Sequence, residues 1–462
     1  MIKVQNTLSG RKEVLKTKKG SILELFVCGP TVYDYSHLGH ARTYIAFDVI
    51  VKYLKEKGYD VFYLQNITDI DDKIIQRAKE KKTSTKNLAR QFEGEYKKNM
   101  KELKVNSVTK YARATSYIKE IISQIERLKK KGFAYQIEDG IYYDIKKFKD
   151  YGKLSGRTTL QAEDAVSRID ESKEKRNKGD FALWKFSPPA GGPGEPSWPS
   201  PFGKGRPGWH IEDTAIAEKF FGFQYDIHGG GMDLAFPHHE AEIAQMEAVS
   251  GKKPMVKYWL HTGFLTVKGK KMSKSLGNFV TIEDFLKKSS PRTLRFLVAK
   301  NHYRSRLDYS DSSVIQAERE LERIDEFTEK LKNKKYGQGP ARLKIPQKEF
   351  EQAMEDDFNT PKAVAAVFEL VKNGNSLIDQ DLLTQKDRNN ALNFLKSADR
   401  IFNVFFQPAK NKIPDKVLKL AEKREKYRQK KDWNKSDKIR ADMEKLGWKV
   451  EDTEFGPKLK KL

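Results

Sequence analysis

Residues 21–28 are rich in β-branched, aromatic and aliphatic side chains, which predicts a strand; Gly29 and Pro30 punctuate it, and a helical period opens near His40. Ala41, Tyr44, Ile45, Phe47, Asp48, Val51 and Leu54 then recur at helical spacing until Gly58 stops the element, and residues 61–64 form a second buried strand. A strand, a helix and a strand in that order imply a parallel sheet. From Asp71 to about Lys131 the pattern is helical and basic. Residues 132–148 alternate as in a hairpin, with Glu138-Asp139-Gly140 as its turn.

Seven prolines and six glycines fall within residues 188–208, which predicts a surface loop without regular structure. Strand and helix signals resume at 209–221, at 225–228 and along a helix from His238 to about Ser250, so one sheet domain is interrupted by an insertion. From Ser312 the signal is all helical, with Val314, Ala317, Leu321, Ile324, Phe327 and Leu331 on one face. Residues 337–340 break it, further helices run to about Phe406, and 408–414 form a linker. The expected organisation is an α/β, Rossmann-type parallel-sheet catalytic domain (1–130 and 209–250) with an inserted connective segment (131–208). A linking domain (251–311), an all-α helical bundle (312–407) and a small basic C-terminal region (408–462) follow.

Composition narrows the partner. Of 462 residues, 89 are Lys or Arg and 64 Asp or Glu, a net charge of +25 that favours a polyanion: nucleic acid first, an anionic membrane surface second. With 38% hydrophobic and 11% aromatic residues the chain has ample material for a packed core. No run of about 18 uncharged apolar residues occurs and residues 1–10 lack a signal-type apolar core, so a cytoplasmic protein is expected. The single cysteine, Cys28, excludes an intrachain disulfide and any Cys-only metal site.

Two short strings carry chemistry. His37-Leu38-Gly39-His40 sits where a strand gives way to a helix; helix-terminal N–H groups, two imidazoles and a glycine that permits close approach suit a phosphate, although His40 as a simple helix cap and His37 as an ordinary surface residue remain alternatives. Lys271-Met272-Ser273-Lys274-Ser275, between Gly269-Lys270 and Gly277-Asn278, offers ammonium and hydroxyl groups for a triphosphate, or is a solvated basic face. In this order and separation the two resemble the paired signatures of class I aminoacyl-tRNA synthetases. Longer strings narrow the resemblance to the cysteinyl-tRNA synthetase family over nearly the whole chain: Thr31-Val32-Tyr33-Asp34, Asn66-Ile67-Thr68-Asp69-Ile70-Asp71-Asp72-Lys73, Gly179-Asp180-Phe181-Ala182-Leu183-Trp184-Lys185, Arg206-Pro207-Gly208-Trp209-His210-Ile211-Glu212, Asp226-Ile227-His228-Gly229-Gly230-Gly231 and Pro237-His238-His239-Glu240.

That resemblance implies activation of L-cysteine with ATP, accompanied by Mg²⁺, to an enzyme-bound cysteinyl adenylate, and transfer of the aminoacyl group to the 3′ end of cysteine tRNA. It implies that His37, Gly39 and His40 hold ATP, that Lys271 and Lys274 stabilise the leaving pyrophosphate, and that Gly229, Gly230, Gly231 and Asp233 line the adenosine. Thr68, Trp209 and His228 correspond to positions around the cysteine. It further implies one Zn²⁺ per chain on Cys28, Asp213, His238 and Glu242, where Asp213 stands in place of the family's usual second cysteine. The formal charge of the donor set is unchanged but the set is harder, so weaker zinc retention and more tolerance of other divalent ions are expected. The C-terminal region is similar to the family's anticodon-reading region, with Trp433 a candidate for stacking on a base or, alternatively, a core residue. A monomer is expected, a dimer left open. The competing readings are a cysteine ligase with a small amine acceptor, which lacks an anticodon region, and a non-catalytic synthetase-derived RNA-binding protein. The 131–208 insertion is too short for the editing domain typical of larger class I enzymes.

Overall fold

The apolar run of Leu23–Val27 becomes the middle strand of a five-stranded parallel sheet in the computed structural model, which describes residues 1–17, 22–157, 172–187, 195–272, 277–406, 414–453 and 456–461. Leu23–Val27 lies between Tyr225–Gly231 and Val61–Ile67; Val256–Thr262 and Lys110–Arg113 form the two edges, and every pairing is parallel. Helix Leu38–Glu56 covers the sheet because its apolar residues spread over more than one face. Ala41, Tyr44, Ile45, Phe47, Val51 and Leu54 are all buried, and Gly58, at φ +84°, turns the chain back into the next strand.

Helix Glu240–Ser250 crosses from Tyr225–Gly231 to Val256–Thr262 and is buried nearly all round, including Glu240, Glu242 and Glu247. Each of these acids therefore needs a partner. Glu240 accepts the N–H groups of Gly152, Leu154 and Ser155 at 3.0, 2.7 and 2.7 Å, and Glu247 meets Lys153 Nζ at 2.6 Å, so both tie the insertion to the sheet domain. A second buried ionic node joins the sheet domain to the helices that follow. Asp48 takes Arg295 Nη2 at 2.5 Å, Lys52 Nζ at 2.8 Å and Ser107 Oγ at 2.6 Å, while Arg295 Nε donates to Phe402 O at 2.6 Å.

Four expectations change. Lys110–Arg113, inside the stretch predicted to be helical throughout, is an edge strand; its four residues carry too little apolar pattern to declare it. The parallel sheet continues past residue 250, with Val256–Thr262 as its last strand. Gly205–Pro207, inside the stretch expected to lack regular structure, pairs with Phe181–Phe186 and completes an antiparallel sheet with Ala134–Ile137 and Gly140–Tyr143, in which Gly140 is already in the strand. Residues 188–194 of that stretch lie outside the described residues. Finally, the region after Ser312 is not all helical.

Helices Asp311–Asn333, Gln347–Glu355, Thr360–Asp379 and Gln385–Phe402 follow the sheet domain, with Ala317, Leu321, Ile324, Phe327 and Leu331 buried on one face of the first. The chain divides into two compact units, Met1–Phe405 and Phe406–Leu462. The second contains helices Asp415–Gln429 and Trp433–Lys445 and the hairpin Trp448–Thr453/Gly456–Lys461 around Val417, Ala421, Ile439, Met443 and Val450. Among the described residues no helix is long and apolar enough to cross a membrane.

Candidate active site

In open parallel sheets ligands bind beyond the carboxyl ends of the strands, and here those ends gather the predicted residues. Cys28 follows Leu23–Val27 directly, while Thr68 follows Val61–Ile67 and bridges to Thr31. His228 and the three glycines occupy the end of Tyr225–Gly231. Helix Ile211–Phe221 brings Asp213 and Glu212, and Glu242 lies in the first turn of Glu240–Ser250. His238 precedes that helix in an irregular turn, Ala235–His239, rather than in the helix itself.

These elements converge on one buried cluster. One ligand atom each from Cys28, Asp213, His238 and Glu242 all lie within 4.8 Å of one another, and the same holds for Cys28, His228, His239 and Glu242. His238 Nε2 is 2.9 Å from Asp213 Oδ2 and 2.8 Å from Glu242 Oε1, and Cys28 Sγ is 3.7 Å from Glu242 Oε1. Cys28 Sγ also lies 3.2 Å from Nε2 of both His228 and His239. Burial, with Glu242 and Asp213 adding to it, pushes the Cys28 thiol well up. Burial opposes a charge on His238, but Glu242 and Asp213 outweigh it and lift the imidazole to about 10. Burial holds His228, His239 and His210 well below the usual imidazole range and brings His261 to about 4. The cluster thus sets a charged His238 between Asp213 and Glu242, beside a protonated thiol and neutral imidazoles, and Glu242 Oε2, 3.3 Å from His228 Nε2, accepts no hydrogen bond.

The mouth of the cluster is Trp209, 38% exposed, whose ring stacks on His238 at 4.5 Å between centroids. Thr68 Oγ1 donates to Glu212 beside it. On the inner side His239 Nδ1 meets His261 Nε2 at 2.8 Å and His261 Nδ1 meets Thr7 Oγ1 at 2.8 Å. Five of the eight histidines, His210, His228, His238, His239 and His261, therefore ring the only cysteine. Sequence reasoning missed His210 and His261 as members; their signal was the scarcity of histidine elsewhere.

The two signature strings also meet. His37 caps helix Leu38–Glu56, its ring lies flat on His40 at 3.8 Å, and its backbone N–H donates to His40 Nδ1 at 3.3 Å. Leu38 N–H donates to Val280 O at 3.1 Å and Ile282 N–H to Ser36 O at 2.8 Å, which fastens the segment after the second signature to the first. A Cβ on Gly39 would stand 2.8 Å from His37 Cε1 and Nδ1 and 3.8 Å from Met272 Cε, so the glycine makes room for both strings. Lys271 is exposed in strand Lys270–Lys271, its carbonyl held by Asn278 Nδ2 at 3.1 Å; Lys274, with Ser273 and Ser275, lies outside the described residues. Gly229 is explained by packing, since a Cβ there would come within 2.2 Å of Phe47 Cζ. A Cβ on Gly231 would meet Asp233 Oδ1 at 2.3 Å, and one on Gly230 would meet His239 Cε1 at 3.0 Å.

Known proteins match this arrangement. The family model described as the tRNA synthetases class I (C) catalytic domain covers residues 14–319, and the DALR domain covers 349–406. Cysteine–tRNA ligase of Thermococcus gammatolerans is 44% identical over 100% of this chain and 99% of its own, and that of Methanococcus maripaludis 46% identical over 98% and 97%. The chain belongs to the cysteine–tRNA ligase family. Its fold is also that of Mycobacterium tuberculosis methionyl-tRNA synthetase solved with methionyl-adenylate, at a TM-score of 0.60 with 82% of this chain and 90% of that one covered and 14% identity.

In this cysteine–tRNA ligase family member the remaining candidate residue, Trp433, lies in the C-terminal unit. Trp433 begins helix Trp433–Lys445 with 54% of its surface exposed, and the Arg428 guanidinium stands 5.5 Å from its ring centroid. Arg428 pairs with Asp452, which also holds the buried Arg424, and this fixes the Arg428 guanidinium beside the ring.

Proposed function

We propose that the protein activates L-cysteine with ATP and passes the cysteinyl group to the 3′ end of cysteine tRNA, with Zn²⁺ held by Cys28, Asp213, His238 and Glu242 and Mg²⁺ accompanying the nucleotide. The observation that carries the reading is the buried donor cluster at the carboxyl ends of the strands, beneath Trp209. The donors suit a divalent ion: a tetrahedral zinc with bonds of about 2.0–2.3 Å separates its ligands by roughly 3.3–3.8 Å, and here His238 stands 2.8 and 2.9 Å from Glu242 and Asp213 and Cys28 3.7 Å from Glu242, with all four ligand atoms within 4.8 Å of one another. Hydrogen bonds hold the donors slightly closer, and a small outward shift admits the ion. The Asp213–His238 set is favoured over the His228–His239 set because it lies under the exposed Trp209, where a substrate can enter, and supplies one more anion. When bound, the ion offers the substrate thiol a soft partner that a serine hydroxyl does not match.

In the first step an oxygen of the cysteine carboxylate forms a bond to the α-phosphorus of ATP, and the bond to the departing pyrophosphate breaks. No enzyme nucleophile is required, so the residues align and stabilise charge. His37 and His40 face the phosphates from the helix N-terminus, Gly39 admits them, and Lys271 and Lys274 neutralise the pyrophosphate. Gly229, Gly230, Gly231 and Asp233 receive the adenosine, while Thr68, Trp209 and His228 border the amino acid. In the second step the terminal ribose hydroxyl of the tRNA attacks the carbonyl and AMP leaves. Trp433 and the cations around it contribute to holding the tRNA. The test is ATP–pyrophosphate exchange with metal analysis of the same sample. Exchange that requires cysteine and is lost on chelation is expected; equal exchange with serine or methionine refutes the assignment.

A further inference from the structure

Asn66, in strand Val61–Ile67, is 1% exposed and has its side chain between the loop at Gly29 and helix Ile211–Phe221. Its Oδ1 accepts the Gly29 N–H, and its Nδ2 donates to Asp213 Oδ1. A main-chain N–H can only donate, so the amide oxygen must face Gly29 and the NH₂ must face Asp213; the orientation of the amide is fixed by its partners. The approach is tight: a Cβ on Gly29 would lie 1.7 Å from the Asn66 carbonyl oxygen, so only glycine permits it. With Oδ1 engaged by Asn66, Asp213 presents Oδ2 to the cluster, 2.9 Å from His238 Nε2.

A carboxylate can bind an ion through one oxygen or through both, whereas a thiolate has one donor atom. Four protein donors leave a fifth position for a substrate thiolate, and an Asp213 bound through both oxygens would fill it. We propose that Asn66 is a positioning residue that restricts Asp213 to one-oxygen ligation and so keeps a coordination position open for the substrate sulfur. This rests on the metal reading above and adds to it a residue 147 positions away from Asp213 in sequence.

The experiment uses the full chain stripped of metal and titrated with Co²⁺, read by its visible absorption and by competition with a chelator. Partners that orient metal ligands typically contribute about 10–100-fold in affinity, so Asn66→Ala is expected to weaken Co²⁺ binding by about that factor. It should also dim the visible bands, because cobalt absorbs less intensely as coordination rises above four. In an Asp213→Cys background the same substitution should change affinity by no more than about twofold, since the coupled partner is gone. Asn66→Leu keeps the side-chain volume and removes the donor without adding a charge, so it carries the test if Asn66→Ala does not fold, with the same losses expected. Equal losses in both backgrounds, or unchanged bands in the single variants, overturn the role of Asn66. A parent that takes up no cobalt overturns the metal reading itself.

Discussion

Replacing Gly39 with alanine separates the function of the first signature from the stability of its helix. The new methyl would sit 2.8 Å from Cε1 and Nδ1 of His37, where carbon contacts settle at about 3.5–4.0 Å, so the ring must retreat by roughly 0.7–1.2 Å. It has room to do so, being only half-buried, but it leaves its stack on His40. Displacing an aligned group by about 1 Å can cost about 10²-fold in rate, so cysteine-dependent pyrophosphate exchange should fall by about that factor. Gly39 is the second residue of helix Leu38–Glu56, so alanine gains only part of the about 0.5–1 kcal/mol that it has over glycine in mid-helix. The thermal midpoint should therefore hold or rise while activity falls. In a His37→Ala background the Gly39→Ala penalty should vanish, because the ring that it displaces is absent. Unchanged exchange in the single variant, a penalty that persists without His37, or a midpoint that drops with the activity would each refute the reasoning.

Two further outcomes are expected. Burial raises the Asp48 carboxyl, but Arg295 and Lys52 outweigh it and hold the group below its ordinary 3.8; a lowered folded value means stability that is present above pH ~4 and lost as pH falls through it. Arg295→Met, which leaves buried Asp48 with Lys52 as its remaining cation, should cost less than the about 3–5 kcal/mol of a fully unpaired buried charge at neutral pH and progressively less again toward pH ~3, as urea midpoints across that range will reveal; a deficit independent of pH contradicts the account. Ending the chain at Phe405 removes a unit with its own core, so cysteine activation should survive while tRNA affinity and its salt dependence decline; an unchanged salt slope in filter binding would take that unit off the binding surface.

What the sequence made legible follows from where each signal lives. Cys28, His238 and Glu242 came with the family resemblance, of which only His238 lies in a quoted string, and the strand before Cys28 and the helix after His37 have strong apolar periods. The structure brings Asp213 to them although it lies far away in the chain. Lys110–Arg113 escaped notice because a four-residue edge strand borrows its hydrogen bonds from Val61–Ile67 rather than declaring itself through apolar pattern. Asn66 was visible only as part of a string: its geometry depends on Gly29 and Asp213 arriving from two other elements, and no local period records such a meeting. Gly229 shows the converse, since a residue read as adenosine-lining has a packing reason in Phe47 that the string alone could not display.

The ring of imidazoles and carboxylates around one thiol also sets how the site ages under oxidants. A disulfide needs two thiols, and the chain has one, Cys28, shielded from solvent. A metal-stripped site built on paired thiols can seal itself shut by oxidation; with Asp213 opposite Cys28 that route does not exist. Damage must instead climb from sulfenic to sulfonic acid at a single buried atom, or join it to an incoming thiol, and an incoming thiol is what a cysteine–tRNA ligase is there to admit.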